Sequence, residues 1–415
     1  MSVAVLAGAM VVLSTTAATS APKPETQRVS VSASGAQVSA DSRGGSISGD
    51  GRFVVFESDA ADLVPGDTNG LTDVFLRDTR RGTVERVSVR DDGGEYVLAF
   101  NARISADGRY VIFQGGTGSP EDGTYFSGVF LWDRVKDRTE VVSLTDDEKP
   151  VSGGDAVISR DGRYVAYVSW LGDHGDTGTR MSAGVYLRDR ETGTTRLVSV
   201  TEPPPTGDRY GWIVGYPSMS ADGSRIAYSM NQARPGLHGA VYTYDRHTGR
   251  KERFDSDERR TSVPRFSGDG RYAAFSSGAA DLVPGDTNGK EDIFVRDLRT
   301  GGSELVSLAA DGGQLDTHSR WPVITEDGRR VVFNTGSTTL VPGDIHRGPL
   351  FERDLRTGDT RRVSVAHDGG QGDYQGSSAF SVSRDGRFVA FESWATNLVP
   401  DDTNDTRDVF VRRLR

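Results

Sequence analysis

Apolar residues along this chain gather in short runs of Val, Ile, Phe and Tyr, such as Tyr164 to Tyr167 and Ile293 to Val295, and never recur at helical spacing. Runs of this kind predict strands covered on both faces. Most are introduced by one phrase, Asp-Gly-Arg-aromatic-apolar. With small variations it stands at Asp50, Asp107, Asp161, Asp222, Asp269, Asp327 and Asp385, at spacings of 57, 54, 61, 47, 58 and 58 residues. Asp-Gly between two β-rich runs predicts a tight hairpin, because glycine accepts the positive φ of a primed turn. A second turn, Asp189 to Gly193, Asp245 to Gly249, Asp297 to Gly301 and Asp354 to Gly358, follows the third run of its repeat. Asp opens such a turn and Gly closes it. Each repeat therefore reads as four strands; in the second they run up to Ile104, then Tyr110 to Phe113, Val129 to Trp132 and Glu140 to Leu144.

Four-stranded units that need neighbours on both faces close best into a ring. The fold expected is an all-β, seven-bladed β-propeller of antiparallel blades, with six blades as the alternative count. Arg28-Val29-Ser30-Val31 matches the fourth strand of other repeats (Arg86 to Val89, Arg196 to Val200, Arg362 to Val365) with no repeat before it, while Asp408 to Arg415 reads as a third strand. The N-terminal strand is thus expected to complete the last blade and hide an open edge.

Composition narrows the classes. With 51 Gly and 16 Pro in 415 residues, 35% hydrophobic and 26% charged, the chain is turn-rich but able to build a core, which excludes disorder. A net charge of -10 has the wrong sign for a nucleic-acid binder. The absence of Cys removes disulfides, thiol catalysis and thiolate metal sites. Val3 to Leu13 is apolar and Ser14 to Ala21 small, the pattern of an exported leader too short to span a bilayer. The expected organisation is a leader over 1–26 and one propeller over 27–415, secreted or held in the periplasm or cell envelope.

Ser159-Arg160-Asp161-Gly162-Arg163-Tyr164-Val165-Ala166-Tyr167 and Ser383-Arg384-Asp385-Gly386-Arg387-Phe388-Val389-Ala390-Phe391 resemble the repeat of the TolB-like, WD-repeat-like propeller family, from about Gln27 to Arg415. TolB itself resembles a six-bladed ring with a further N-terminal domain, for which this chain has no room. The resemblance implies a periplasmic or extracellular binding platform, some related propellers being enzymes.

The Asp-Gly turns are short, so every long connection (115–127, 171–182, 201–215) belongs to the opposite face of the disc, where binding residues concentrate. Trp170, Trp212, Trp321 and Trp394 lie on or beside it, as do His174, His238, His318, His346 and His367. The four tryptophans and His318 are the candidate ligand contacts; packing between blades is the alternative for Trp170 and Trp394. Leu-Val-Pro-Gly-Asp-Thr-Asn-Gly-x-x-Asp recurs with variation, placing Asp67, Asn69 and Asp73, then Asp286, Asn288 and Asp292, then Asp402, Asn404 and Asp408 at matching offsets. Three side-chain oxygens around a glycine suit a calcium ion, but they supply too few ligands alone, and bracing by Asx-turns is the favoured reading. Nucleophile-elbow, zinc-protease and phosphate-loop motifs are missing. The function expected is a non-enzymatic scaffold binding a protein or glycan on the long-loop face, with Ca2+ as a candidate stabiliser. The alternative is an extracellular carbohydrate-active enzyme, polysaccharide lyase or glycoside hydrolase, on the same face.

Overall fold

The computed structural model describes residues 24–415 apart from 120, 122, 175–182, 200–211, 233–239, 256–260, 342–348 and 374–376. Seven four-stranded antiparallel sheets form the blades of a ring. Their inner strands are Ser42–Ile47, Leu98–Ile104, Gly154–Ile158, Trp212–Met219, Arg265–Phe266, Ser319–Ile324 and Ser378–Val382, in blades 1 to 7. Among the described residues the one helical element is a single 3-10 turn, Leu171–His174.

The repeated phrase is a joint between blades as much as a turn. In blade 2, Asp107 Oδ1 accepts the Ser105 hydroxyl and, at 2.9 Å, the Arg109 amide, while Ser105 Oγ accepts the Tyr110 amide at 2.9 Å. Arg109 crosses to Asp133 at the end of the third strand with hydrogen bonds of 3.0 and 2.7 Å. The same pairing recurs in blades 1, 3, 4, 5 and 6. These guanidinium bonds hold the Asp133, Asp189 and Asp297 carboxyls below the usual range, Asp297 at about 2. Blade 7 ends its third strand in Arg413, so Arg387 turns back onto Asp385 of its own hairpin. Gly108 has φ 73°, and a Cβ there would lie 2.8 Å from the ring of Phe53 in blade 1. That ring is gripped between the guanidinium groups of Arg52 and Arg134, at 4.6 and 4.1 Å from its centroid.

Between the blades, the Val, Ile and Leu of adjacent sheets make the core. Within each blade one aromatic pair faces across the second and third strands, as in Phe56 and Phe75 with centroids 5.8 Å apart or Phe391 and Phe410 at 5.6 Å. The ring closes as expected. Glu25–Arg28 pairs with Asp408–Arg413 as the outer strand of blade 7, beginning two residues before the boundary expected at 27. Val29 continues the pairing with a 2.9 Å bond to Val409, and Ser30 donates to Asp408 at 2.6 Å.

Two outcomes follow from these joints. Gly223 and Gly249 share nearly the same φ, 69° and 72°, but an added Cβ meets Tyr164 at 2.6 Å in the first case and nothing within 4 Å in the second. Denaturant unfolding should show Gly249→Ala costing about 1 kcal/mol and Gly223→Ala about 3 kcal/mol, the excess being the overpacked ring. At the closure, burial raises the Asp408 carboxyl from 3.8 to about 6 despite Ser30 and Arg28. The folded chain therefore holds this proton more tightly than the unfolded one, and the stability this group contributes declines as pH rises between about 4 and 6. Melting curves of Asp408→Asn should gain on wild type across that window and run parallel to it above pH ~7.

Candidate functional site

The two ends of the axial channel are built differently. At the Asp-Gly end, backbone bonds run from blade to blade: Gly49 to Ala106 at 2.8 Å, Arg160 to Ala221 at 2.7 Å, Gly268 to Glu326 at 2.9 Å and Arg384 to Gly49 at 3.0 Å. Across this girdle, Arg160 of blade 3 reaches Glu326 of blade 6 at 2.6 Å, and Arg384 of blade 7 joins the same carboxylate at 3.2 Å. Side chains three blades apart meet only across the axis, so this triad plugs the channel floor.

Among the described residues the long-loop end is open and shaped by a repeated bulge. The inner strands of blades 1, 2, 3, 4, 6 and 7 each slip register against the second strand near their start. Six residues before the repeat Asp, the bulge position carries Gly44, Asn101, Asp155, Tyr216 and Trp321 in blades 1, 2, 3, 4 and 6, all at positive φ. Glycine adopts that conformation freely, whereas Tyr216 at 53° and Trp321 at 55° are held there at a cost of about 1 kcal/mol or more. Both side chains stand out into solvent, 73% and 56% exposed. Blade 5 between them lacks the bulge because its inner strand is cut to Arg265–Phe266. The wall recedes behind Thr261, Ser262 and Val263, leaving a pocket of about 570 Å³ flanked by the two rings and reaching down to Arg103 and Arg265.

Arg103 and Arg265 occupy the same repeat position, four before the Asp, in blades 2 and 5. Their partners differ. Arg103 lies near the carboxylates of Glu57 and Asp155, which partly offset the lowering of its pKa by desolvation. Glu57 is itself raised by burial and accepts the Ala102 amide at 3.1 Å, and Asp155 accepts Asn101 at 3.2 Å. Arg265 is exposed along the channel, and desolvation by the surrounding blades, then the Arg103 charge, bring it down to about 10.

Of the described residues singled out in the sequence, the structure brings Trp321 alone to this pocket. Trp170 ends the second strand of blade 3, exposed and away from the lining. Trp394 is half-buried under Arg407, whose guanidinium sits 4.7 Å above its ring. Trp212 opens the inner strand of blade 4 rather than lying in a loop, and its side chain is outside the described residues, as are those of His174, His238 and His346. His318 accepts the Glu291 amide at 3.0 Å, and His367 contacts the Asn397 carbonyl. Tyr216, Arg103 and Arg265 were not singled out. Aligning the repeats by their Asp and reading the columns six and four before it would have exposed them.

In the two Asp-Thr-Asn-Gly loops and the Asp-Thr-Asn-Asp variant of blade 7, the asparagine amide nitrogen points at the last aspartate: Asn69 to Asp73 at 3.2 Å, Asn288 to Asp292 at 2.7 Å and Asn404 to Asp408 at 3.4 Å. Its oxygen accepts a backbone amide two residues on. In blade 1 the Arg86 guanidinium stands 3.3 Å from Asp67 and 3.6 Å from Asp73; in blade 7 Arg28 stands 3.5 Å from Asp402 and 3.4 Å from Asp408. A cation already occupies both loops. Blade 5 has Leu305 at that register, and burial, then Asp292, raises the Asp286 carboxyl. No group of three or more His, Asp or Glu able to hold a metal ion occurs among the described residues.

No family model and no curated protein matches the chain. Solved structures do. An oligogalacturonate lyase from Vibrio parahaemolyticus is 13% identical over 95% of this chain and 98% of that one, with a TM-score of 0.56. An oligogalacturonate lyase in complex with manganese is 13% identical over 95% and 96%, with a TM-score of 0.55. A TolB from Agrobacterium tumefaciens gives 19% over 80% and 94%, but a TM-score of only 0.42. At these identities the likeness establishes a shared propeller fold. The expectation of a non-enzymatic scaffold is corrected here: the two oligogalacturonate lyases, which match over 95% of this chain with TM-scores of 0.55 and 0.56, are enzymes, so the comparisons do not favour it.

Blade 1 makes its bulge with Gly44, so the fold does not require aromatics at this position. Trp321→Gly and Tyr216→Gly should therefore melt at or above the wild-type temperature, by up to about 1 kcal/mol of added stability, whereas side chains that brace the fold would lower it.

Proposed function

We propose that the protein is an exported carbohydrate-active enzyme, a lyase acting on acidic oligosaccharides at the open end of the axial channel. One observation carries the reading: the pocket is lined by two arginines and two aromatic rings, with no Asp or Glu among its described lining residues. Glycoside hydrolysis ordinarily uses a pair of carboxyl groups flanking the scissile bond, and this lining does not supply one. β-Elimination from a uronic acid needs instead a cation against the sugar carboxylate: a base (a lining group or solvent) takes the acidified C5 proton, the C5–H electron pair forms the C4=C5 double bond, and the C4–O pair leaves with the departing sugar, which takes up a proton from water. Arg265 and Arg103 supply positive charge where that anion develops. Trp321 and Tyr216 offer flat faces on which sugar rings stack. The lyases reported above share this fold and support the choice of reaction class.

Incubation with oligogalacturonides and other uronate oligomers should produce the ultraviolet absorbance of an unsaturated uronide. Trp321→Ala should lower kcat/KM about tenfold with the fold intact. New reducing ends without that absorbance would mean a hydrolase, and neither signal on any uronate oligomer would overturn the reading.

A further inference from the structure

Below the rim pocket the channel continues as a second, narrower cavity of about 200 Å³, lined by Arg103, Arg265, Ser46, Ser218 and Ser381 with an apolar belt around them. Its charge is unusual for this molecule. The chain carries a net charge of -10, and most arginines on the blades are paired with carboxylates. Arg265 has no ion pair among the described residues, and the charge facing it is another guanidinium. The carboxylates near the channel, Glu57 and Asp155, stand on the Arg103 side and are engaged there by the Ala102 amide and Asn101. Two of the three serines are already spoken for as joints, Ser46 Oγ accepting the Ile104 amide at 3.1 Å and Ser381 Oγ the Ile47 amide at 2.8 Å, yet each hydroxyl hydrogen remains free to donate.

We infer that this cavity is an oxyanion seat: a carboxylate, sulfate or phosphate held between Arg265 and Arg103, with serine hydroxyls completing the shell. Planar guanidinium forks match oxyanions bidentately, and a cleft of one sign between low-dielectric walls focuses its field on the counter-ion. The Arg160–Glu326–Arg384 plug closes the floor, so whatever brings the anion enters from the rim end-first. The seat deepens the lyase reading, which sets the same two arginines against a sugar carboxylate, but its occupancy is read from stability and not from turnover, so the two fail separately.

The test is a thermal melt of the mature protein titrated with sodium sulfate, with galacturonate and with galactose, each against sodium chloride at matched ionic strength. The expected result is a saturating rise of about 3 °C for at least one oxyanion and none for galactose. Arg265→Gln should abolish the rise while raising the ligand-free melting temperature, since it removes a like-charge contact. Arg265→Lys should keep part of it. A rise with sulfate marks a seat for free ions; a rise with galacturonate alone marks one for a saccharide carboxylate. Equal melts in every salt, or a rise that survives in Arg265→Gln, would overturn the proposal, and should Arg265→Gln fail to fold, Arg103→Lys decides by the same readout. Lyase activity with flat melts would discard the seat and keep the enzyme, and a saturating rise without turnover would do the reverse.

Discussion

The structure hangs on the contact between one glycine and one aromatic ring, repeated at five of the seven blade junctions; at Gly270 and Gly386 an arginine stem or a threonine methyl stands in for the ring. The Asp-Gly turn places a glycine where the preceding blade sets down its Phe or Tyr, so Gly108 receives Phe53, Gly223 receives Tyr164 and Gly328 receives Tyr272. Positive φ alone would explain the glycine in a hairpin. The ring explains why the hairpin glycine also fixes the distance between blades. Once that spacing is set, the backbone girdle closes and the inner strands converge on a channel of fixed width.

Because the frame is carried by the turns, the other end of each inner strand can vary. The bulge position holds glycine, asparagine, aspartate, tyrosine and tryptophan without changing the register around it. Blade 5 departs furthest, losing most of its inner strand, and the pocket lies there. The site is thus a local relaxation of the repeat, bounded by neighbours that keep it.

This division also decides what could be read from the amino-acid sequence. The Ser-x-Asp-Gly-Arg-aromatic phrase states its own hydrogen bonds and recurs in five blades, with variants in the fourth and sixth, so blade number, strand order and N-terminal closure were all legible in the sequence. Trp321 was visible as a tryptophan beside a long loop. Tyr216, Arg103 and Arg265 were not, because a functional column in a repeat protein shows variation where motif searches look for recurrence. The Asp-Thr-Asn-Gly loops drew attention for the opposite reason. They recur, but Arg86 and Arg28, which neutralise two of them, come from another strand and are invisible to local spacing.

The closure of blade 7 sets an order of events during synthesis. Glu25–Arg28 is synthesised before any of the other blade strands and finds its partner, Asp408–Arg413, only after the six intervening blades have followed. Until then six blades can form by local pairing while the ring stays open and the third strand of the seventh has no outer neighbour. A ring that waits on this one pairing stays unlocked until both of its strands exist, so the seventh blade is the last to be completed.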